Sequence, residues 1–125
     1  MKKILVADDE MSIRLLYSEE LKEEGYEVYQ AANGLEALEI VDKIPLDLVI
    51  LDIKMPEMDG IEALRQIKEK RPDLPVVLST AYGEYTQDFA TWASDDYLVK
   101  SSDMEDLKAV VRRYLNPPPK RDAHE

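Results

Sequence analysis

The chain contains no cysteine, and its one histidine, His124, falls in the last two residues. Without thiols there can be no disulfide scaffold, zinc–thiolate centre or cysteine nucleophile. A single terminal histidine also disfavours zinc. Long apolar runs are missing as well: none approaches the roughly 20 residues needed to span a bilayer. The start, MKKILVADDE, carries two lysines and a short apolar run, but acids follow where a secretory leader would stay apolar. It is read as the first strand of a cytoplasmic protein. Positive charge is scarce, with 16 Lys and Arg against 27 Asp and Glu and a net charge of −11. That balance speaks against binding nucleic acid, which needs a basic footprint, and nothing points to a membrane. It suits solubility, metal cations and partners with basic patches.

What is present is a repeated alternation. The 125 residues fit one domain, and the 45% hydrophobic fraction is ordinary for a globular chain. Strand-like runs fall at 3–7, 26–31, 47–52, 75–80 and 96–99, and ILVA, LDLVIL and VVLS are almost continuously apolar or β-branched. Such runs suit strands covered on both faces. Helical periodicity fills the gaps. Ile13, Leu16, Tyr17 and Leu21 share one face ahead of Gly25, a C-terminal stop. Asn33 with Glu36, Asp59 with Glu62, and Ser102 with Glu105 each have capping-box spacing. Behind them, Leu35, Leu38 and Val41 form a second stripe, and Ile61, Leu64 and Ile67 a third. A fourth helix is expected within 84–93. This order predicts an α/β fold, with a parallel sheet, right-handed crossovers and helices on both faces. Residues 1–116 are taken as the domain. Residues 117–125 open with three prolines and are expected to be a disordered, charged tail in which His124 is inert.

The ends of the strands carry the chemistry. KILVADD closes on Asp8 and Asp9, LDLVILD on Asp52, PVVLST on Thr80 and DYLVK on Lys100. Parallel α/β sheets bind ligands in the crevice outside their carboxyl strand ends. Converging carboxylates repel unless a cation joins them, and hard oxygen ligands suit Mg2+. One carboxylate could then act as nucleophile towards phosphorus, giving an acyl phosphate, while an ammonium neutralises charge on the transferring oxygens. Asp52, ending the most apolar strand, is the candidate nucleophile. Asp8 and Asp9 are the candidate metal ligands, Lys100 the ammonium and Thr80 a hydroxyl donor. Singly, each has a plainer reading: an Asp can cap a helix, a Lys be solvated, a Thr merely pack. Their joint placement at strand ends favours a site.

Asp8-Asp9-Glu10, LDIKMPEMDG around Asp52, Thr80-Ala81 and DDYLVK ending at Lys100 resemble the receiver domain of bacterial two-component response regulators, the CheY-like superfamily. The resemblance runs in order from about residue 3 to 115. It implies a flavodoxin-like (βα)5 three-layer sandwich with a five-stranded sheet in the order 2-1-3-4-5. It implies that a histidine kinase or histidine phosphotransfer protein donates a phosphoryl group to Asp52. It also implies Mg2+ ligands from Asp9, Asp52 and the backbone carbonyl of Lys54, with Asp8 acting through water. Thr80 and Tyr97 would form the switch pair that alters binding to a downstream protein. Kinase docking is placed on the exposed side of the first helix, at Met11, Arg14, Leu15 and Ser18. Within the family, AANGLEAL, DIKMPEMDGIEAL and TAYGE are similar to the stand-alone phosphorelay receivers of spore-forming bacteria, which share Lys54.

Two features depart from the family pattern. Ser101 stands where proline usually follows the lysine, and a cis peptide there would cost about 3–4 kcal/mol. The stretch from Thr80 to Lys100 is about two residues short, with Ala93-Ser94 where Gly-Ala is usual. Three other functions stay open at this point. A flavin-binding electron carrier would want a phosphate-cradling turn where Asp-Asp-Glu stands. A metal-dependent phosphatase would want an acid at Lys54. The chain could also be the receiver half of a longer transcription factor.

Overall fold

In the computed structural model, which describes residues 1–80, 94–100 and 104–115, nine elements alternate along the chain. They are β1 (Lys3–Ala7), α1 (Met11–Glu23), β2 (Glu27–Ala31), α2 (Gly34–Lys43) and β3 (Leu48–Asp52). Then come α3 (Gly60–Lys70), β4 (Val76–Thr80), β5 (Asp96–Val99) and α4 (Met104–Leu115). The strands form one parallel sheet in the order β2-β1-β3-β4-β5. Three strands begin one residue later than their apolar runs. At β4 the reason is Pro75, which has no N–H for the ladder, although its carbonyl still accepts from Val49 N at 3.0 Å.

Strand alternation divides the core in two. Leu5, Val49, Leu51, Val76 and Leu78 point towards α2 and α3, where Leu38, Val41, Leu64 and Ile67 meet them. Ile4, Val6, Ile50, Val77 and Leu98 point the other way, towards Tyr17 and Leu21 of α1 and Leu107 and Val111 of α4. Both faces of the sheet are therefore covered, which is why its strands lack polar alternation.

Helix ends follow local chemistry. Gly25 takes φ +100 after α1, Gly25 N donates to Lys22 O, and Tyr26 N donates to Leu21 O at 3.2 Å. This paired closure suits the left-handed residue that ends many helices. Asn33 Oδ1 accepts from Glu36 N, and Glu36 Oε1 reaches back to Ala32 N. At α3 only half of the expected capping box forms. Asp59 Oδ1 accepts from Glu62 N, but the Glu62 side chain turns to Arg65 and Gln66 instead.

Two residues depart from the expected apolar stripes. Leu16 is 39% and Leu35 47% exposed. The buried stripe of α1 is centred on Tyr17, Ser18 and Leu21, and that of α2 on Gly34, Ala37, Leu38 and Val41. Each exposed leucine sits at the flank of its stripe, beyond the reach of the sheet. The helix expected at 84–93, Ser101, Ser102 and the 117–125 tail with His124 lie outside the described residues. Among those described, no helix is long and apolar enough to cross a membrane.

Candidate functional site

The sheet order sets β3 between β1 and β4, so Asp52 at the end of β3 is flanked by the ends of β1 and β4, with β5 one strand further out. Asp8 follows β1 directly, and Lys100 follows β5. Lys100 Nζ lies 3.0 Å from Asp8 Oδ2 and 3.2 Å from Asp52 Oδ1. Glu10 Oε1 is a looser third partner at 3.8 Å. Asp8 and Asp52 are buried, whereas Asp9 is exposed at the mouth. The three carboxylates each offer an oxygen within 4.8 Å of the others. Residues read as one site from separate strand ends are thus brought together.

Backbone contacts hold this arrangement in place. Asp8 N donates to Ala31 O at 3.0 Å, and Lys100 N donates to Thr80 O at 2.7 Å. Asp8 Oδ1 accepts from Glu10 N, which fixes the carboxylate against the turn into α1. Gly60, the first residue of α3, comes in so close that a Cβ would lie 2.0 Å from Asp52 O. Its N–H donates to Ile53 O at 2.7 Å, locking α3 against the end of β3.

Burial raises the Asp52 carboxyl from 3.8 to about 7; the charge of Asp8 pushes the same way and Lys100 opposes it. Burial alone would lower the Lys100 ammonium, yet Asp8 and Asp52 hold it above its ordinary range. Among the described residues the site therefore sets the Lys100 ammonium against more than one acid, and its anionic form is unfavourable as it stands. A hard divalent cation fits this donor set. Asp8 already accepts from Glu10 N at one oxygen and faces Lys100 with the other. Asp9 and the second oxygen of Asp52 are the carboxylate positions left to face a cation.

The remaining expected residues divide. Thr80 is wholly buried at the end of β4, and Tyr97 on β5 is exposed. Lys54 is exposed in the turn after β3. On α1, Met11 and Leu15 are exposed. Ser18 corrects the expected docking surface. It is 0% exposed, because α1 turns Tyr17, Ser18 and Leu21 together against the sheet. Arg14 is half-buried and engaged, with Nη1 donating to Asp8 O at 2.7 Å and Nε to Gln30 Oε1 at 3.2 Å. Sequence reasoning missed Gly60 as the residue that lets α3 approach the acid. The signal was the Asp59-Gly60 pair that opens the helix. It also missed Ser79, buried one residue before Thr80 and paired in register with Asp52.

Residues 4–112 match the family described as response regulator receiver domain. Sporulation initiation phosphotransferase F of Bacillus subtilis is 42% identical over 116 residues, covering 91% of this chain and 94% of that protein. Regulatory protein AtoC of Escherichia coli is 37% identical over 92% of this chain, which spans only 25% of that protein. Among solved structures, the response regulator TrrA of Thermotoga maritima in complex with Mg2+ and BeF has a TM-score of 0.88 at 49% identity, covering 92% of this chain and 100% of that one. TrrA bound to the histidine kinase ThkA has a TM-score of 0.85, also at 49% identity, covering 92% of this chain and 99% of that one.

Proposed function

From the premise that this chain belongs to the response regulator receiver domain family, we propose that it takes a phosphoryl group onto Asp52 from a histidine kinase or histidine phosphotransfer protein. The observation that carries this assignment is the convergence of Asp8, Asp9 and Asp52 oxygens within 4.8 Å, beside Lys100. In the transfer, the P–N bond of the donor phosphohistidine breaks and a P–O bond forms to Asp52. The imidazole keeps the bonding pair and takes a proton. Loss of the group is a separate hydrolysis: water attacks phosphorus and gives up a proton, the P–O bond to Asp52 breaks, inorganic phosphate leaves and the Asp52 carboxylate is restored. The chain would promote these steps on itself alone, as a signalling domain that turns over no separate substrate.

Asp9, Asp52 and the Lys54 carbonyl would hold Mg2+, with Asp8 acting through water; the ion would neutralise charge on the transferring oxygens. Lys100 would leave its place between Asp8 and Asp52 to pair with the phosphoryl group. Thr80 would offer its hydroxyl to the same oxygens. Tyr97, now exposed, would turn inward as Thr80 moves, and that change would be read by a downstream protein. Docking of the kinase is assigned to Met11 and Leu15, the exposed pair beside the crevice. The receiver unit is taken as residues 1–116, acting in the cytoplasm.

Mass spectrometry after exposure to acetyl phosphate tests the acceptor. One phosphoryl group should appear in the presence of Mg2+, be strongly reduced without it, and be absent from Asp52→Asn. Label retained by that variant would refute the assignment.

A further inference from the structure

Beside Asp52 lie two buried hydroxyl groups, one on β4 and one on α1, that phosphoryl acceptance, as described above, leaves without a role. Ser79 is the register neighbour of Asp52 on β4. Their side chains leave the same face of the sheet, on strands about 4.8 Å apart. Ser79 is 1% exposed, and its Oγ has no hydrogen-bond partner among the described residues. Tyr17 descends from α1 onto this face and is also buried. Its hydroxyl approaches Ser79 short of full hydrogen-bond geometry and lies within the fields of Lys100, Asp8 and Asp52. Alanine would fill the same space without an unsatisfied donor. In the resting molecule the Ser79 hydroxyl therefore carries a desolvation cost with no return.

The return lies in the reacting state. In the resting form Lys100 holds Asp52 Oδ1 at 3.2 Å. When Lys100 moves to the phosphoryl oxygens, the Asp52 Oδ1 that it held loses its donor. As the P–O bond breaks in hydrolysis, Asp52 leaves as a carboxylate and negative charge gathers on that oxygen. A donor unused in the resting form and engaged only then lowers the barrier to hydrolytic loss. We propose that Tyr17 and Ser79 are positioning residues of the acceptor site, the Ser79 hydroxyl donating to the Asp52 carboxyl oxygen as the phosphoryl group is lost to water and Tyr17 orienting it. The inference rests on Asp52 being the acceptor.

The test uses the full chain, acetyl phosphate and Mg2+, with variants Ser79→Ala, Ser79→Thr and Tyr17→Phe. Ser79→Ala should slow hydrolytic loss by roughly three- to tenfold, the effect of one neutral hydrogen bond, without slowing phosphoryl gain. Tyr17→Phe should slow the loss by a smaller factor. Ser79→Thr, which keeps the hydroxyl, should remain within about twofold of the unsubstituted chain. The Mg2+ dissociation constant should stay unchanged in all three, and the urea midpoint of Ser79→Ala should not fall, whereas loss of a structural hydrogen bond would lower it. An unchanged rate of hydrolytic loss in Ser79→Ala, or a defect that Ser79→Thr shares, overturns the inference. Label surviving in Asp52→Asn overturns the acceptor assignment instead, so the two failures are distinct.

Discussion

Asp52 is folded into a place that resists its charge. Its carboxyl ionises near 7 in the fold, against 3.8 as the ordinary value that the unfolded chain approaches. Between those values the folded form holds a proton that the unfolded form has lost. Stability without divalent cation should therefore fall as pH rises from about 4 to about 7, then level off. Asp52→Asn should remove most of the fall and raise stability at pH 8 by about 2–4 kcal/mol. Urea midpoints across that window check the sign; a midpoint rising with pH in the unsubstituted chain would contradict it. Asp8, Asp52 and Lys100 were legible in the sequence because each closes an apolar run. Tyr17 and Ser79 were not. One sits in a helical stripe and the other inside PVVLST, where both look like packing. Strand neighbourhood gives them a different setting, and local pattern does not encode which strand lies beside which.

Among the elements, α3 bears most directly on the site. Its first residue must be glycine because backbone, not a yielding side chain, blocks a Cβ there. Gly60→Ala should push α3 away from the end of β3 and destabilise the fold by about 1–3 kcal/mol, as overpacking does. It should also slow labelling of Asp52, since the strand end that moves is the one carrying the acceptor. Urea unfolding and acetyl phosphate labelling of the same variant check both effects, and a variant of unchanged stability would show that the helix can shift freely. Element type and order followed from the alternation of apolar runs and helical periods. The exposure of Leu16 and Leu35 did not. The period of a stripe locates its centre, while its width depends on how far the neighbouring layer extends. Ser18 was misplaced for the same reason: small and polar, it carries no apolar signal, yet it lies on the face that α1 presents to the sheet.

On the scale of the whole molecule, parallel strands gather the acids at one end of the sheet, and the surface around them decides who can deliver phosphorus. The chain from Asp9 enters α1 within two residues, so Met11 stands beside the crevice and Leu15 one turn further along. Leu15 is 45% exposed and off the buried stripe, which leaves it free to be covered by a protein donor. A small donor such as acetyl phosphate needs the crevice alone. Leu15→Ala should then slow transfer from the cognate kinase by about tenfold, the effect of one apolar anchor in an interface, and leave acetyl phosphate labelling unchanged. The net charge of −11 adds a second dependence. Attraction to a donor with a basic docking patch should make kinase transfer fall with salt, while labelling by the small anionic donor should not fall in the same way. Phosphotransfer rates for both donors, measured over ionic strength with and without Leu15, separate surface from crevice. Equal losses for both donors in Leu15→Ala would place the effect in the crevice and remove α1 as the docking helix.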